Sequence, residues 1–382
     1  MTYAPNSPDT LTSRWLFGTG LFALLASGAL VGLGLSWVLG TGTNALDQHG
    51  VMFAESLVPF GHEGAGAVFL GGSLAAFVAG CWLLATRTTP SRRVHADIPT
   101  WVGGLGICAV LVVIDQSPLV VIGYLPFTLL APLFGFDEVD IGALASYPLL
   151  LQWLLLLIAC AIAGMVYQRH RPRLQGLTAP VTEAERQRSL ARATTRTNRW
   201  TKVAMESPLV YALSRILMFC CVPGFRFAGF GDPILYAGLG LAFMATMGAW
   251  LTCGLIRPWG EVFPRWMIGL RGRRVPIRLA VIAGLLVAVM LAATCKGLIV
   301  QGLSDQQAAA DIVVAHPLIG LPMLLWPLWV VALAIATISY GVRRAIAEST
   351  PTDRLTGDPA KVASPHATGS AAPSCPEHTA TV

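Results

Sequence analysis

The chain has 382 residues, 54% of them hydrophobic and 12% charged, with a formal net charge of +6. A soluble domain carries roughly 25% charged residues, so this balance excludes a water-soluble globular protein and points to a chain that crosses a bilayer repeatedly. The positive charge does not indicate nucleic-acid binding, because the basic residues sit between apolar runs with no aromatic interleaving.

About 20 apolar residues cross the hydrocarbon region of a bilayer as a helix. In chain order the predicted spans are 15–39, 64–86, 101–124, 146–168, 207–223, 234–256, 277–301 and 316–341. They predict an all-α, polytopic membrane helix bundle of about eight transmembrane helices. Residues 1–14 form a cytoplasmic N-terminal segment, and 15–168 and 207–341 form two four-helix halves. A basic connection, 169–206, joins the halves, and 342–382 reads as a disordered tail rich in Pro, Thr, Ser and Ala.

Charge placement tests this count independently, since cytoplasmic loops are rich in Lys and Arg. The connections 87–100, 169–206 and 257–276 and the tail after 341 hold 21 of the 26 basic residues. The other four connections hold Arg226 as their single basic residue and carry Asp47, Glu55, Glu63, Asp137, Glu138, Asp140, Asp232, Asp305 and Asp311 instead. The alternation predicts a cell-membrane protein, multi-pass, with both termini cytoplasmic. The first span is too long for a cleaved leader and reads as a retained helix.

Polar groups inside the apolar runs are the informative exceptions. Glu63, with His62 beside it, opens the second span. Asp115 follows seven apolar or small residues, Cys108 to Ile114, deep in the third. Pro118 lacks a backbone donor and clashes with the carbonyl of Ile114, so a kink is expected there. The released carbonyl is a natural place for a water or a cation. The run that follows, through Pro126 and Pro132, is too long for one span and could fold back into the membrane. Arg215 lies in the fifth span and is expected to meet a helix carbonyl or an acid such as Glu206. Asp232 opens the sixth span, and Lys296 lies in the seventh at a depth matching Asp115.

An ionisable group inside a span costs roughly 2.5–3.5 kcal/mol on insertion scales, so it faces a cavity or a partner. Two readings stay open. In one, Asp115 and Lys296 neutralise each other and lock the halves together. In the other, Asp115, Glu63 or Asp232 faces a cavity and exchanges a proton, with His62 orienting Glu63 or shuttling for it. Trp15, Trp37, Trp101, Trp250, Trp326 and Trp329 fall near span ends, the usual interfacial belt. The cysteines show no zinc spacing, and there is no paired Asp-rich motif for a Mg²⁺-diphosphate site, so no metal or cofactor is expected. An outward-side disulfide among Cys220, Cys221 and Cys295 is one option.

The two halves also echo each other. From Arg92 to Asp115, and from Arg273 to Lys296, a basic turn leads into a span over the same spacing. Glu63 lies 19 residues before Trp82, and Asp232 lies 18 before Trp250. The pattern is that of a 4+4 parallel internal repeat, an architecture that places sites at the seam between repeats.

The most distinctive stretch is "RPWGEVFPRWMIGLRGRRVP", residues 257–276. Its prolines, tryptophans and glycines predict a stiff hairpin, in which Arg257 and Glu261 can pair with each other. It resembles a motif of actinobacterial multi-pass membrane proteins, RPWGE-x-FPRW…GRRVP leading into a span, most of them without an assigned role. The bias of 23 Arg to 3 Lys agrees with a high-GC genome.

In architecture and buried acids the chain also resembles the bacterial integral membrane terpene cyclases. That resemblance implies an enzyme of terpenoid biosynthesis, a lyase or isomerase, which protonates an epoxide or alkene of a lipophilic prenyl substrate from an intramembrane carboxylic acid. Asp115, Glu63 and Asp232 would be its catalytic candidates, with Lys296, His62, Arg257 and Glu261 in support. A proton-coupled transporter using Asp115 and Lys296 as a relay, and a structural membrane protein, are the alternatives. Nothing in the sequence fixes the oligomeric state.

Overall fold

The computed structural model describes residues 8–49, 54–86, 98–130, 142, 145–178, 182–225, 232–263, 269, 271–304 and 317–348. Ten α-helices account for most of them. They are α1 (Pro8–Val38), α2 (Gly61–Ala85), α3 (Ile98–Val113), α4 (Ser117–Leu130) and α5 (Tyr147–Thr178). After these come α6 (Glu183–Phe219), α7 (Asp232–Cys253), α8 (Ile277–Ser304), α9 (Pro317–Leu324) and α10 (Trp326–Glu348). No strand occurs among the described residues; one isolated bridge pairs Val262 with Arg274.

Six helical segments are long and apolar enough to cross a membrane: 17–38, 58–85, 147–170, 235–253, 277–300 and 317–348. The pair α3 and α4 makes a seventh if counted as one span, bent by 62° at its break. The fifth predicted span, 207–223, is the one left over: it is the C-terminal end of α6, which stops at Phe219 and whose apolar run is interrupted by Arg215. It falls short by length and composition.

Helix α6 is a single rod of 37 residues, about 55 Å at 1.5 Å per residue. A capping box starts it: the Thr182 hydroxyl accepts from the Glu185 N–H at 3.2 Å, and the Thr182 N–H donates to Glu185 Oε2 at 3.3 Å. Most of the basic connection is therefore helical, with α5 reaching Thr178 and α6 starting at Glu183. The predicted disordered tail, 342–382, begins instead as helix, since α10 runs on to Glu348; its remainder, and 87–97 of the basic connection 87–100, lie outside the described residues.

Packing follows a membrane logic, in which lipid tails are as apolar as Leu and close approach of backbones replaces burial from water. Helix α2 presents Ala65, Gly66, Phe69, Gly72, Ser73, Ala76, Ala79, Gly80 and Leu83 as its buried stripe. It lies between α1 and α3, and α5 closes this group against α1 and α3. In the second group α6 packs along α7 and α10, and α8 lies on α10. Helix α4 touches α5, α7 and α8, and so sits between the two groups. Outward residues such as Leu105 and Leu303, 66% and 70% exposed, are at home against lipid tails.

The tryptophans divide. Trp101 and Trp250 are exposed near helix ends, as belt residues are. Trp37 and Trp329 are buried instead, Trp37 with its ring 4.4 Å from that of Phe69. Cys220, Cys221 and Cys295 are all free thiols, so the outward disulfide is not formed.

At Gly106 of α3 a Cβ would lie 2.7 Å from the Ala79 methyl and 3.2 Å from the Ala75 carbonyl oxygen, whereas at Gly32 nothing lies within 4 Å. Gly106→Leu should therefore lower the thermal unfolding midpoint of the detergent-purified protein, at a cost of about 1–3 kcal/mol from overpacking. Gly32→Leu, facing open space, should leave the midpoint unchanged or raise it slightly.

Candidate functional site

The kink expected at Pro118 is a full break. Helix α3 ends at Val113, Asp115 and Gln116 are non-helical, and α4 starts at Ser117 with Pro118 in its first turn. A missing N–H costs nothing in a first turn, whose donors have no helical partners. The break leaves two sets of backbone groups to satisfy: carbonyls at the end of α3 and N–H groups at the start of α4.

A charge of the right sign meets each end. The Lys296 ammonium, from α8, donates to the carbonyls of Leu111 at 3.1 Å, Val112 at 2.6 Å and Ile114 at 2.5 Å. Three donors meet three acceptors, and a cation at a helix C-terminus also lies favourably in the macrodipole. The cation anticipated beside the released carbonyl is thus the chain's own lysine. At the other end Asp115 Oδ1 accepts the Ser117 N–H at 2.8 Å, placing a carboxylate at the N-terminus of α4.

No hydrogen bond or ion pair joins Asp115 to Lys296, so the direct pairing considered from the sequence is not formed. Their opposite charges still interact across the break. The Ser117 hydroxyl as well as its N–H interacts with the Asp115 carboxylate.

Two residues overlooked in the sequence complete the site. Gln152 of α5 is fully buried; its Oε1 accepts the Asp115 N–H at 3.2 Å and its Nε2 donates to Ser56 Oγ at 2.9 Å. The signal was a lone amide in the apolar run of α5, passed over because it carries no charge. Ser56 belongs to the α1–α2 loop, which folds back onto the bundle through Leu46 and Leu57, both fully buried and joined by the bond from Leu57 N–H to Leu46 O at 2.9 Å. Gln116 lies alongside Gly297 of α8, where a Cβ would be 3.6 Å from Gln116 Oε1.

The remaining candidates are elsewhere. Glu63 is exposed in the first turn of α2, with no partner among the described residues and no contact with the break. His62 bonds Asp47 rather than Glu63, Nδ1 to Oδ2 at 2.9 Å, so it orients no Glu63 carboxylate. The backbone of Asp232 opens α7, but its side chain lies outside the described residues. Arg215 reaches neither a carbonyl nor Glu206; its guanidinium lies over the Tyr211 ring, 4.8 Å from the centroid. No cluster of His, Cys, Asp and Glu with metal-binding geometry is found among the described residues.

The 257–276 motif builds a separate feature. Val262 pairs with Arg274, flanked by Phe263 N–H to Arg273 O at 3.0 Å and Val275 N–H to Glu261 O at 2.9 Å. Trp259 stacks on Trp250 of α7, ring centroids 4.8 Å apart. The Arg257–Glu261 pair is not formed: Glu261 bonds Arg343 of α10 at 2.7 Å, and Arg343 also donates to Leu255 O. Tyr340 donates to Gly260 O at 3.0 Å and accepts from Arg344 at 3.1 Å. The motif is a clamp tying the α7–α8 connection to the end of α10, and residues 264–268 and 270 within it lie outside the described ones.

No protein family, curated protein sequence or solved structure matches the chain.

Lys296→Met should destabilise the protein more than Gln152→Leu, because it strands three carbonyls and leaves the Asp115 charge without its counter-charge. Gln152→Leu, which leaves two partners unsatisfied, should cost about 1–3 kcal/mol each by thermal or denaturant unfolding in detergent. Replacing either member of the half-exposed Glu261–Arg343 pair should cost about 1 kcal/mol or less.

Proposed function

We propose that the chain is a proton-coupled secondary transporter of the cell membrane, with Asp115 as the proton-carrying group. The observation that carries this reading is the break between α3 and α4, where two half-helix ends, a carboxylate and an ammonium meet between the two helix groups. Discontinuous helices of this kind form substrate and coupling-ion sites in transporters, because half-helix termini offer directed charge within an otherwise apolar region. The Asp115 carboxylate is the group that can take and release a proton, with the Ser117 N–H bond keeping it at the start of α4.

On this reading the apolar end of α6 is a further crossing, giving eight, and both termini are cytoplasmic. A 4+4 parallel repeat is supported by packing that corresponds between halves. Helix α1 packs on α2 and α5 as α6 packs on α7 and α10, and α3 lies on α5 as α8 lies on α10. The correspondence fails where α7 packs against α4 instead of along α8, which sets the broken span at the seam. Few polar groups line the helices, so the transported species is a lipophilic small molecule.

A second reading is favoured by the same carboxylate in apolar surroundings: a terpene cyclase in which Asp115 protonates an epoxide or alkene of a prenyl chain. Protonation at an apolar site that excludes water is the step such chemistry requires. Glu63, exposed and remote from the break, has no part in either reading.

Purified protein in liposomes with an imposed pH gradient should accumulate one of two amphiphilic probes, ethidium or taurocholate, above empty liposomes, with matching proton movement reported by trapped pyranine. Asp115→Asn should abolish both signals. Flux of neither probe, or equal flux in the variant, overturns the transport reading. A new isomer of unchanged mass from fed epoxy-prenylated precursors, lost in Asp115→Asn, would establish the cyclase instead.

A further inference from the structure

Arg215 carries a permanent charge in the apolar part of α6, and no carboxylate among the described residues neutralises it. Its Nη1 reaches only the Met218 sulfur, at 3.8 Å, and its Nε is buried with no acceptor. The ring beneath it, Tyr211, is 4% exposed and makes a T-shaped contact with Trp326 of α10, centroids 5.3 Å apart. The Trp326 indole N–H is also buried with no acceptor. From α4, Tyr124 brings its hydroxyl close enough to interact electrostatically with both Tyr211 and Arg215.

This cluster holds more donors than acceptors, the two tyrosine hydroxyl oxygens being its only strong ones. A guanidinium and an indole N–H can only donate, and neither tyrosine hydroxyl has a hydrogen-bond partner among the described residues. Leaving buried donors unmatched is costly, and more so when one is charged. A single anion would satisfy the guanidinium edge, the indole N–H and a phenol together. The planar fork of an arginine suits the paired oxygens of a carboxylate or phosphate. On the other faces of α6, Leu213 and Ile216 are 55% and 40% exposed, as residues turned to lipid are, so the hydrocarbon chain of an amphiphile would lie in the surrounding bilayer.

We propose that Arg215, Tyr124, Tyr211 and Trp326 form a binding site for the oxyanion end of an amphiphile, a carboxylate or phosphate carried on an apolar chain. The anion comes either from a membrane phospholipid or from a free amphiphilic acid. Because α4 supplies Tyr124 as well as the Asp115 break, the occupant would hold the half-helix in place. The site stands apart from the transport reading, since binding to solubilised protein is measured without any flux.

The test uses the full chain in zwitterionic detergent. One arm scores retention of phosphatidylglycerol over phosphatidylcholine by native mass spectrometry, and the other measures radiolabelled oleate binding by equilibrium dialysis. At least one probe should bind at one per chain; phosphatidylglycerol alone assigns the lipid source, and oleate alone the free acid. Arg215→Gln should weaken that binding about tenfold or more, the loss of a charge-assisted contact. Trp326→Phe keeps the ring packing and removes only the N–H, and should weaken binding by a smaller factor. It also serves if Arg215→Gln does not fold, as judged by thermal unfolding. The proposal is overturned if the wild type binds neither probe, or if a folded Arg215→Gln or, in its absence, Trp326→Phe binds as tightly as the wild type.

Discussion

Ending a helix within an apolar bundle exposes carbonyls that neither water nor the next turn can satisfy, and the architecture around residue 115 depends on Lys296 doing so. With its ammonium on three carbonyls of α3, the chain can stop one helix, turn through 62° and begin another. Lysine suits the task better than arginine: a compact ammonium fits inside the ring of carbonyls at a helix end, where a planar fork would not. The lysine comes from α8, so the break in one helix group is held by the other. That coupling is what places α4 between them, against α5, α7 and α8.

The carboxylate half of the site is built from more local parts. Asp115 caps the helix that it precedes, a bond across two residues that any Asp before a helix start can make. What anchors it is Gln152, whose amide accepts from the Asp115 backbone and donates to Ser56. A continuous line of hydrogen bonds therefore runs from the α1–α2 loop through α5 to the break. The loop is itself seated by Leu46 and Leu57, so a shift in either the loop or α5 is felt at Asp115.

Much of this was legible in the sequence wherever the signal is local. Apolar runs announced the helices, and Asp115 with Pro118 announced the break. The relation of Lys296 to Asp115 was seen as a matter of depth and charge, but its partners are carbonyls, which no side-chain pattern reveals. Glu261 shows the same limit: a neighbour four positions away, Arg257, was a natural partner on paper, while Arg343, 82 positions on, is the real one. The unbroken length of α6 could have been read, since Thr182 and Glu185 spell a capping box before a long run with no glycine. The emphasis on its basic charge as a topology signal hid it. Gln152 was missed because attention went to charges, yet a buried amide with both ends bonded fixes geometry as firmly as an ion pair and without the cost of desolvating a charge.

The two basic residues within the apolar helices, Lys296 and Arg215, show how differently a fold can treat the same problem. Lysine's charge is spent on the backbone, so replacing it breaks the structure, and nothing is left over to bind a ligand. Arginine's charge is supported by an aromatic face alone, which attracts a cation by the ring quadrupole but supplies no lone pair for its N–H groups. Arg215 lies against α7, where a Cβ on Gly238 would come within 3.8 Å of its Cδ, and near Tyr124 on α4. Helix α4, whose preceding break is held by Lys296, meets the second helix group through α7 and α8. Tyr124 lies in the middle of the short helix that the break begins, so an anion bound beside it would bear on that helix.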